Sequence, residues 1–124
     1  MSKLYLIFRN ELGKLFLISL GGVPGALIRW QLENELAVNI MGAVVLGFVV
    51  GLPLKRRWQL IIGVGFCGAL TTFSGWIFDC LVLLVNGSLS QAFGSIIYML
   101  IGGLLAAAFG FFIGKKIMRT RLFL

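Results

Sequence analysis

Four long apolar stretches, each about the length of a membrane-spanning helix, constrain this chain more than any other feature. A helix needs about 20 mostly apolar residues to cross the hydrocarbon core of a bilayer. Residues 15–32, 36–54, 60–85 and 92–114 meet this requirement. Because the connectors between them are short, we predict an all-α integral membrane protein of four helices. Residues 1–124 would form a single membrane domain whose surface contacts lipid.

The composition fits a lipid-facing surface and argues against an enzyme. Hydrophobic residues make up 60% of the sequence and charged residues only 12%, whereas soluble proteins average about 25% charged residues. Histidine is absent, which removes the usual general base near neutral pH. The sequence also contains no ATP-binding motif and no nucleophile–base pair, so we predict that the protein is not an enzyme.

The basic residues predict how the chain is oriented. Of the 11 Lys and Arg residues, all except Arg29 fall on one side of the four predicted helices. These are Lys3, Arg9, Lys14, Lys55, Arg56, Arg57, Lys115, Lys116, Arg119 and Arg121. Segments rich in Lys and Arg stay in the cytoplasm, so we predict that both termini are cytoplasmic. The net charge of +7 then reflects membrane topology, and we predict no nucleic-acid partner.

Two polar side chains interrupt the apolar stretches. Asn39 lies early in the second stretch, where its amide either bonds a neighbouring helix or donates to an anion. Arg29 lies near the end of the first stretch, where it either extends to the membrane interface or attracts anions into a vestibule. The residues alone leave both choices open.

The third stretch has an unusual centre, in which glycines are followed by hydroxyl side chains. The residues are Gly63, Gly65, Gly68, Thr71, Thr72 and Ser74. Glycine lets the backbone leave helical geometry, and irregular backbone at membrane depth is tolerated only when it is buried in protein or lines a cavity. We therefore expect a broken third helix, which would expose carbonyl groups at one end and N–H groups at the other. A mild kink without a ligand is the alternative.

Two aromatic residues follow the expected break. Phe73 and Trp76 are three residues apart, so they share a helix face. The electropositive edges of aromatic rings can line an anion path, although such a pair is also typical of ordinary packing.

Three motifs together resemble the Fluc family of bacterial fluoride channels, also called CrcB. Residues 21–30 read GGVPGALIRW, residues 38–42 read VNIMG, and residues 65–74 read GFCGALTTFS. The last motif is similar to the most specific signature of the family, and the resemblance extends over nearly the whole chain.

The resemblance implies an antiparallel dimer in the bacterial inner membrane, with two pores for fluoride. It also implies a structural Na⁺ at the dimer centre, held by the backbone carbonyls of Gly68 and Thr71. The positions that match the fluoride pathway are Asn39, Phe73, Ser74, Trp76 and Tyr98, and Arg29 matches the aqueous vestibule. The implied function is passive export that lowers cytoplasmic fluoride.

This chain departs from the signature at two positions. The family sequence continues TTFSTF, whereas this chain has Gly75 and Trp76 in the last two places. These changes keep open a non-conducting, supporting subunit. The strong charge bias also favours one orientation, so we expect a heterodimer with an oppositely oriented paralogue. A four-helix multidrug-type transporter is the other alternative, but it requires a carboxylate deep in a span.

Overall fold

The computed structural model describes the backbone of residues 2–121 and the side chains of residues 9–120. The side chains of Lys3 and Arg121, which contribute to the predicted charge bias, lie outside this range. The described chain is helical and contains no strand. The helices are α1 (Ser2–Gln31), α2 (Glu35–Gly51), α3 (residues 56–70), α4 (Phe73–Val85) and α5 (Leu89–Arg121).

Helices α3 and α4 are the two parts of one interrupted span, so the expected all-α fold of four helices with a broken third helix is confirmed. Within the described residues, three segments are long and apolar enough to cross a membrane: Arg9–Gln31, Arg56–Val85 and Leu89–Thr120. Helix α2 has 17 residues and is about 25 Å long, which is near the lower limit for a span.

The ends of α2 follow from residues in its connectors. The Asn34 side chain accepts a hydrogen bond of 3.0 Å from the Ala37 N–H and so caps the first turn. At the other end, Leu52 is extended, with φ −95° and ψ 145°, because the residue before a proline disfavours helical geometry. Pro53 therefore ends the helix at Gly51, before the predicted boundary at residue 54.

Glycines let α2 and α5 pack with their backbones in contact. A Cβ atom on Gly51 would stand 2.5 Å from the Phe111 carbonyl oxygen, and one on Gly114 would stand 2.6 Å from the Phe48 carbonyl oxygen. Such contacts are possible only without side chains, as in the small-residue helix interfaces of membrane proteins. The small residues spaced four apart in both helices therefore serve packing within the subunit.

Helices α1 and α3 form a second close pair. A Cβ atom on Gly21 or Gly25 would overlap the backbone of α3, and one on Gly65 would overlap the Ile18 carbonyl oxygen. The segment Gln59–Cys67 of α3 is wound as a π-helix. Gly63 and Gly65 therefore remain helical, and Gly65 serves the contact with α1.

The break between α3 and α4 consists of two threonines. Thr71 has φ −89° and ψ 144°, and Thr72 has φ −143° and ψ 138°. Gly68 keeps helical angles, with φ −64° and ψ −35°. The predicted interruption is therefore present, but it lies after the glycines. Two extended residues leave backbone groups near the break without helical partners.

Candidate functional site

The side chain of Asn39 binds both backbone groups of Thr72. Its Nδ2 donates to the Thr72 carbonyl oxygen at 3.0 Å, and its Oδ1 accepts from the Thr72 N–H at 2.8 Å. The amide thus replaces the helical partners that the break removes. The interhelical role considered for Asn39 is present, and one N–H of its Nδ2 is left over for another acceptor.

Arg29 binds the other side of the break. Its Nη1 donates to the Leu70 carbonyl oxygen at 2.9 Å, and its Nη2 pairs with the Glu35 carboxylate. The two side chains are only 18% and 25% exposed. A guanidinium at the last carbonyl of α3 also complements the negative end of the helix dipole. Arg29 therefore connects the end of α1, the start of α2 and the end of α3.

Thr71 completes this local network. Its backbone N–H and its Oγ1 both donate to the Cys67 carbonyl oxygen, at 3.0 Å and 2.9 Å. Gly42 on α2 makes room for the Thr71 methyl group, because a Cβ atom at position 42 would overlap it. The turn before the break is therefore held from within α3 and from α2.

The carbonyl groups of Gly68 and Thr71 are among those around the break that accept no hydrogen bond in the described structure. Across the described part of the break, the Cys67, Leu70 and Thr72 carbonyls accept hydrogen bonds, whereas those of Gly68, Ala69 and Thr71 do not. Gly68 is exposed, and a Cβ atom there would have no heavy atom within 4 Å. The carbonyl oxygens of Gly68 and Thr71 therefore remain available to a ligand.

The predicted pathway residues partly converge on one groove. Asn39, Phe73 and Trp76 line a groove of about 240 Å³ together with both threonines of the break. The rings of Phe73 and Trp76 meet edge to face, with centroids 5.3 Å apart and planes at 68°. Their environments differ, however: Phe73 is 71% exposed and Trp76 only 4%.

Ser74 and Tyr98 lie in different parts of the site. The Ser74 hydroxyl is 3.0 Å from that of Thr72. Tyr98 lines a second groove of about 440 Å³ with Ser95, and Ser95 accepts a 3.3 Å hydrogen bond from the Trp76 indole. The structure therefore brings Ser74 to the break, whereas Tyr98 lies in the second groove together with Ser95.

Two residues of the site have no obvious signature in the sequence. They are Glu35 and Ser95, whereas Gly42 is the last residue of the VNIMG motif. The acid nearest to Arg29 along the sequence is Glu33, but that side chain is exposed, and it is Glu35 that pairs with the arginine. The spacing of Glu35, Asn39 and Gly42 is what could have indicated Glu35. These residues are four and three positions apart, so they share one face of α2.

Comparisons with known proteins identify the family. A family model described as "CrcB-like protein, Camphor Resistance (CrcB)" matches residues 16–111. The chain is 50% identical over 105 residues to the fluoride-specific ion channel FluC 2 of Prochlorococcus marinus, covering 85% of each chain. It is 46% identical over 117 residues to a Synechococcus protein of the same name, covering 90% of this chain and 87% of the relative. A Methanocaldococcus jannaschii FluC is 35% identical over 121 residues, covering 86% of this chain and 98% of the relative. The three relatives share the name fluoride-specific ion channel, and this chain belongs to the CrcB family.

Proposed function

We propose that this chain is a subunit of a fluoride-specific ion channel, which lowers cytoplasmic fluoride by passive export. The observation that carries the proposal is the break at Thr71 and Thr72, held open by Asn39 and Arg29. The names of its relatives support the same function. A channel catalyses no chemical step, and the relatives of this chain are named as channels and not as enzymes.

The groove beside the break suits an anion that binds weakly. Helix α4 begins there, and its first turn has no side-chain cap in the described chain. Its first N–H groups and the helix dipole both favour negative charge. The exposed ring of Phe73 adds an electropositive edge without a full charge. Asn39, Phe73, Ser74 and Trp76 would therefore guide fluoride past the break, and Tyr98 and Arg29 would lie at its ends.

A structural Na⁺ fits the oxygen atoms that the break leaves available. The carbonyls of Gly68 and Thr71 are hard oxygen ligands of the kind that small cations prefer. The described residues contain no cluster of acidic, Cys or His side chains that could hold a metal ion, and backbone oxygens do not depend on such a cluster. Na⁺ would supply charge at the subunit surface and would not be transported.

The partner of this chain is proposed to be an oppositely oriented paralogue in an antiparallel dimer. The charge bias favours one orientation, with both termini in the cytoplasm of a bacterial cell and both grooves within the inner membrane. Relatives numbered FluC 1 and FluC 2 support the existence of paralogues. Co-expression of two tagged chains tests the pairing: copurification through either tag is expected, and self-pairing alone would contradict it.

Fluoride efflux from proteoliposomes tests the channel function. Vesicles that contain this chain and its paralogue, loaded with potassium fluoride, are expected to release fluoride when valinomycin carries the potassium out. Chloride-loaded vesicles serve as the selectivity control. Release of both anions at equal rates, or of neither, would contradict the proposal.

A supporting subunit without its own pore remains the second candidate, because Trp76 is buried and donates to Ser95. This position thus differs from exposed Phe73. Paired channels in which Phe73 is replaced only in this chain, or only at the matching position of the paralogue, would separate the candidates. The multidrug alternative gains no support, since the site carboxylate, Glu35, is paired with Arg29.

A further inference from the structure

The carboxyl group of Glu35 occupies the space beside Gly75. A Cβ atom built on Gly75 would lie 2.7 Å from Glu35 Oε2, 2.8 Å from its Cδ and 2.9 Å from its Oε1. These are the three nearest heavy atoms, and real Cβ atoms essentially never approach other atoms within 3.0 Å. Position 75 can therefore carry only a hydrogen atom while Glu35 keeps its place.

Arg29 prevents the carboxyl group from moving away freely. The Glu35 carboxylate pairs with the Arg29 guanidinium, and the same guanidinium donates to the Leu70 carbonyl oxygen at 2.9 Å. Both side chains are more than two-thirds covered by protein. A rotation of Glu35 would leave a largely buried guanidinium without its counter-charge, which is costly at such a site.

The helix ends around Glu35 stabilise its negative charge. Glu35 is the first residue of α2, and Gly75 lies in the first turn of α4. Both are helix N-termini, where the dipole favours an anion. The position of the carboxylate is therefore fixed by an ion pair, by two helix dipoles and by the absence of a side chain at residue 75.

We propose that Glu35 and Gly75 form a matched pair that positions Arg29 on the break. Glu35 is then a positioning residue, which acts through Arg29 on the carbonyl end of α3. Gly75, one of the two departures from the channel signature, serves to admit an acid beside the break. Only the consequence for fluoride flux rests on the proposed function, since the structural coupling stands without it.

Thermal unfolding of four variants in detergent tests this coupling. Gly75→Ala is expected to lower the Tm by at least about 4 °C. Gly103→Ala is the matched control, because a Cβ atom at position 103 has no heavy atom within 4 Å, and it should leave the Tm unchanged or raise it. Glu35→Ala should lower the Tm through loss of the ion pair. The double variant Glu35→Ala/Gly75→Ala should be no less stable than Glu35→Ala alone.

Two results would overturn the proposal: a Gly75→Ala protein as stable as Gly103→Ala, or a double variant whose loss equals the sum of the single losses. If Gly75→Ala does not fold, the double variant still decides, because recovery of folding supports the pair and failure contradicts it.

Charge is tested separately from space by comparing two glutamines. Glu35→Gln and Glu33→Gln each remove one carboxylate from the same connector region, but only Glu35 is paired with Arg29. Glu35→Gln should lower the Tm by at least about 4 °C more than Glu33→Gln, and equal effects would contradict the positioning role. If the unaltered pair of chains releases no fluoride, the proposed function fails, whereas these comparisons of Tm still decide the present inference.

Discussion

Replacement of Asn39 by alanine should destabilise the subunit, because it removes two hydrogen bonds from the break. The amide makes both hydrogen bonds of the Thr72 backbone, at 3.0 Å and 2.8 Å. Asn39→Ala leaves one N–H and one carbonyl of Thr72 without a partner at a part-buried site. An unsatisfied buried group costs about 1–3 kcal/mol, and side-chain hydrogen bonds in membranes lie at the lower end of such values.

About 1–2 kcal/mol for each group gives a total of about 2–4 kcal/mol, or about 30- to 900-fold in the folding equilibrium. For a chain of this size, the Tm should fall by about 8–16 °C. Asn34→Ala is the matched control, since it makes the same chemical change at the start of the same helix. The Asn34 side chain is exposed and accepts one hydrogen bond, from the Ala37 N–H, so its loss should cost about 1 kcal/mol.

Thermal unfolding in detergent, followed by tryptophan fluorescence, measures both variants. Fluoride efflux from vesicles with the paralogue should be abolished by Asn39→Ala and retained by Asn34→Ala. If the two variants have the same Tm, the Asn39 amide does not hold the break. If Asn39→Ala is unstable but conducts fluoride normally, the break is structural and does not form the pathway.

Two substitutions and one labelling experiment test the exposed ring of Phe73, the packing of α2 against α5 and the burial of the two thiols. Phe73→Ala should reduce fluoride efflux at least tenfold with little change in Tm, because the ring is 71% exposed. Phe78→Ala is the control, since Phe78 is 65% exposed on the same helix. Equal efflux from both variants would contradict a pathway role for Phe73. Gly110→Val should cost about 1–3 kcal/mol or more, since its Cβ would overlap the Val44 carbonyl, whereas a Tm equal to that of the unaltered chain would contradict this packing. Cys67 and Cys80 are free thiols, 1% and 3% exposed, so maleimide should label them only after denaturation, and rapid labelling of the folded protein would show that the core is open.

The number and type of helices could be predicted because a bilayer imposes strict requirements on sequence. A span needs a long apolar run, and such runs locate the four spans of this fold. They do not define the residues at which the helices begin and end. In the sequence, Gly102, Ala106, Gly110 and Gly114 recur every four residues, a spacing that favours close helix packing. Even there, the sequence alone could not assign Gly110 to α2 instead of a second subunit, because both surfaces would favour the same small residues.

The position of the break was harder to predict because glycine serves two purposes in this chain. It allows non-helical backbone, and it allows two helices to touch. Gly65 is used for the second purpose, against Ile18 and Gly21, so the interruption falls on the threonines. Ile18 and Gly21 lie more than 40 positions before Gly65. The sequence of the third stretch alone therefore cannot show that Gly65 contacts α1.

The polar partners of the break were unpredictable for a related reason. Asn39 binds the backbone of Thr72, 33 residues away, and Arg29 binds the Leu70 carbonyl, 41 residues away. Every residue has a backbone carbonyl, so the identity of the acceptor leaves no trace in the sequence. The side chains themselves could be selected as candidates, because polar groups within a span must find partners.

The carbonyls of Gly68 and Thr71 have no hydrogen-bond donor within the described part of the subunit. Arg29, Asn39 and Thr71 supply donors for the Leu70, Thr72 and Cys67 carbonyls. A subunit that provides so many internal donors could have covered the carbonyls that remain, those of Gly68, Ala69 and Thr71, with further Ser or Asn side chains. It instead has glycine at position 68, exposed and with no heavy atom near a built Cβ. Since unsatisfied carbonyls are costly at membrane depth, we expect their partner to come from outside the subunit, and the proposed Na⁺ between two subunits meets that requirement.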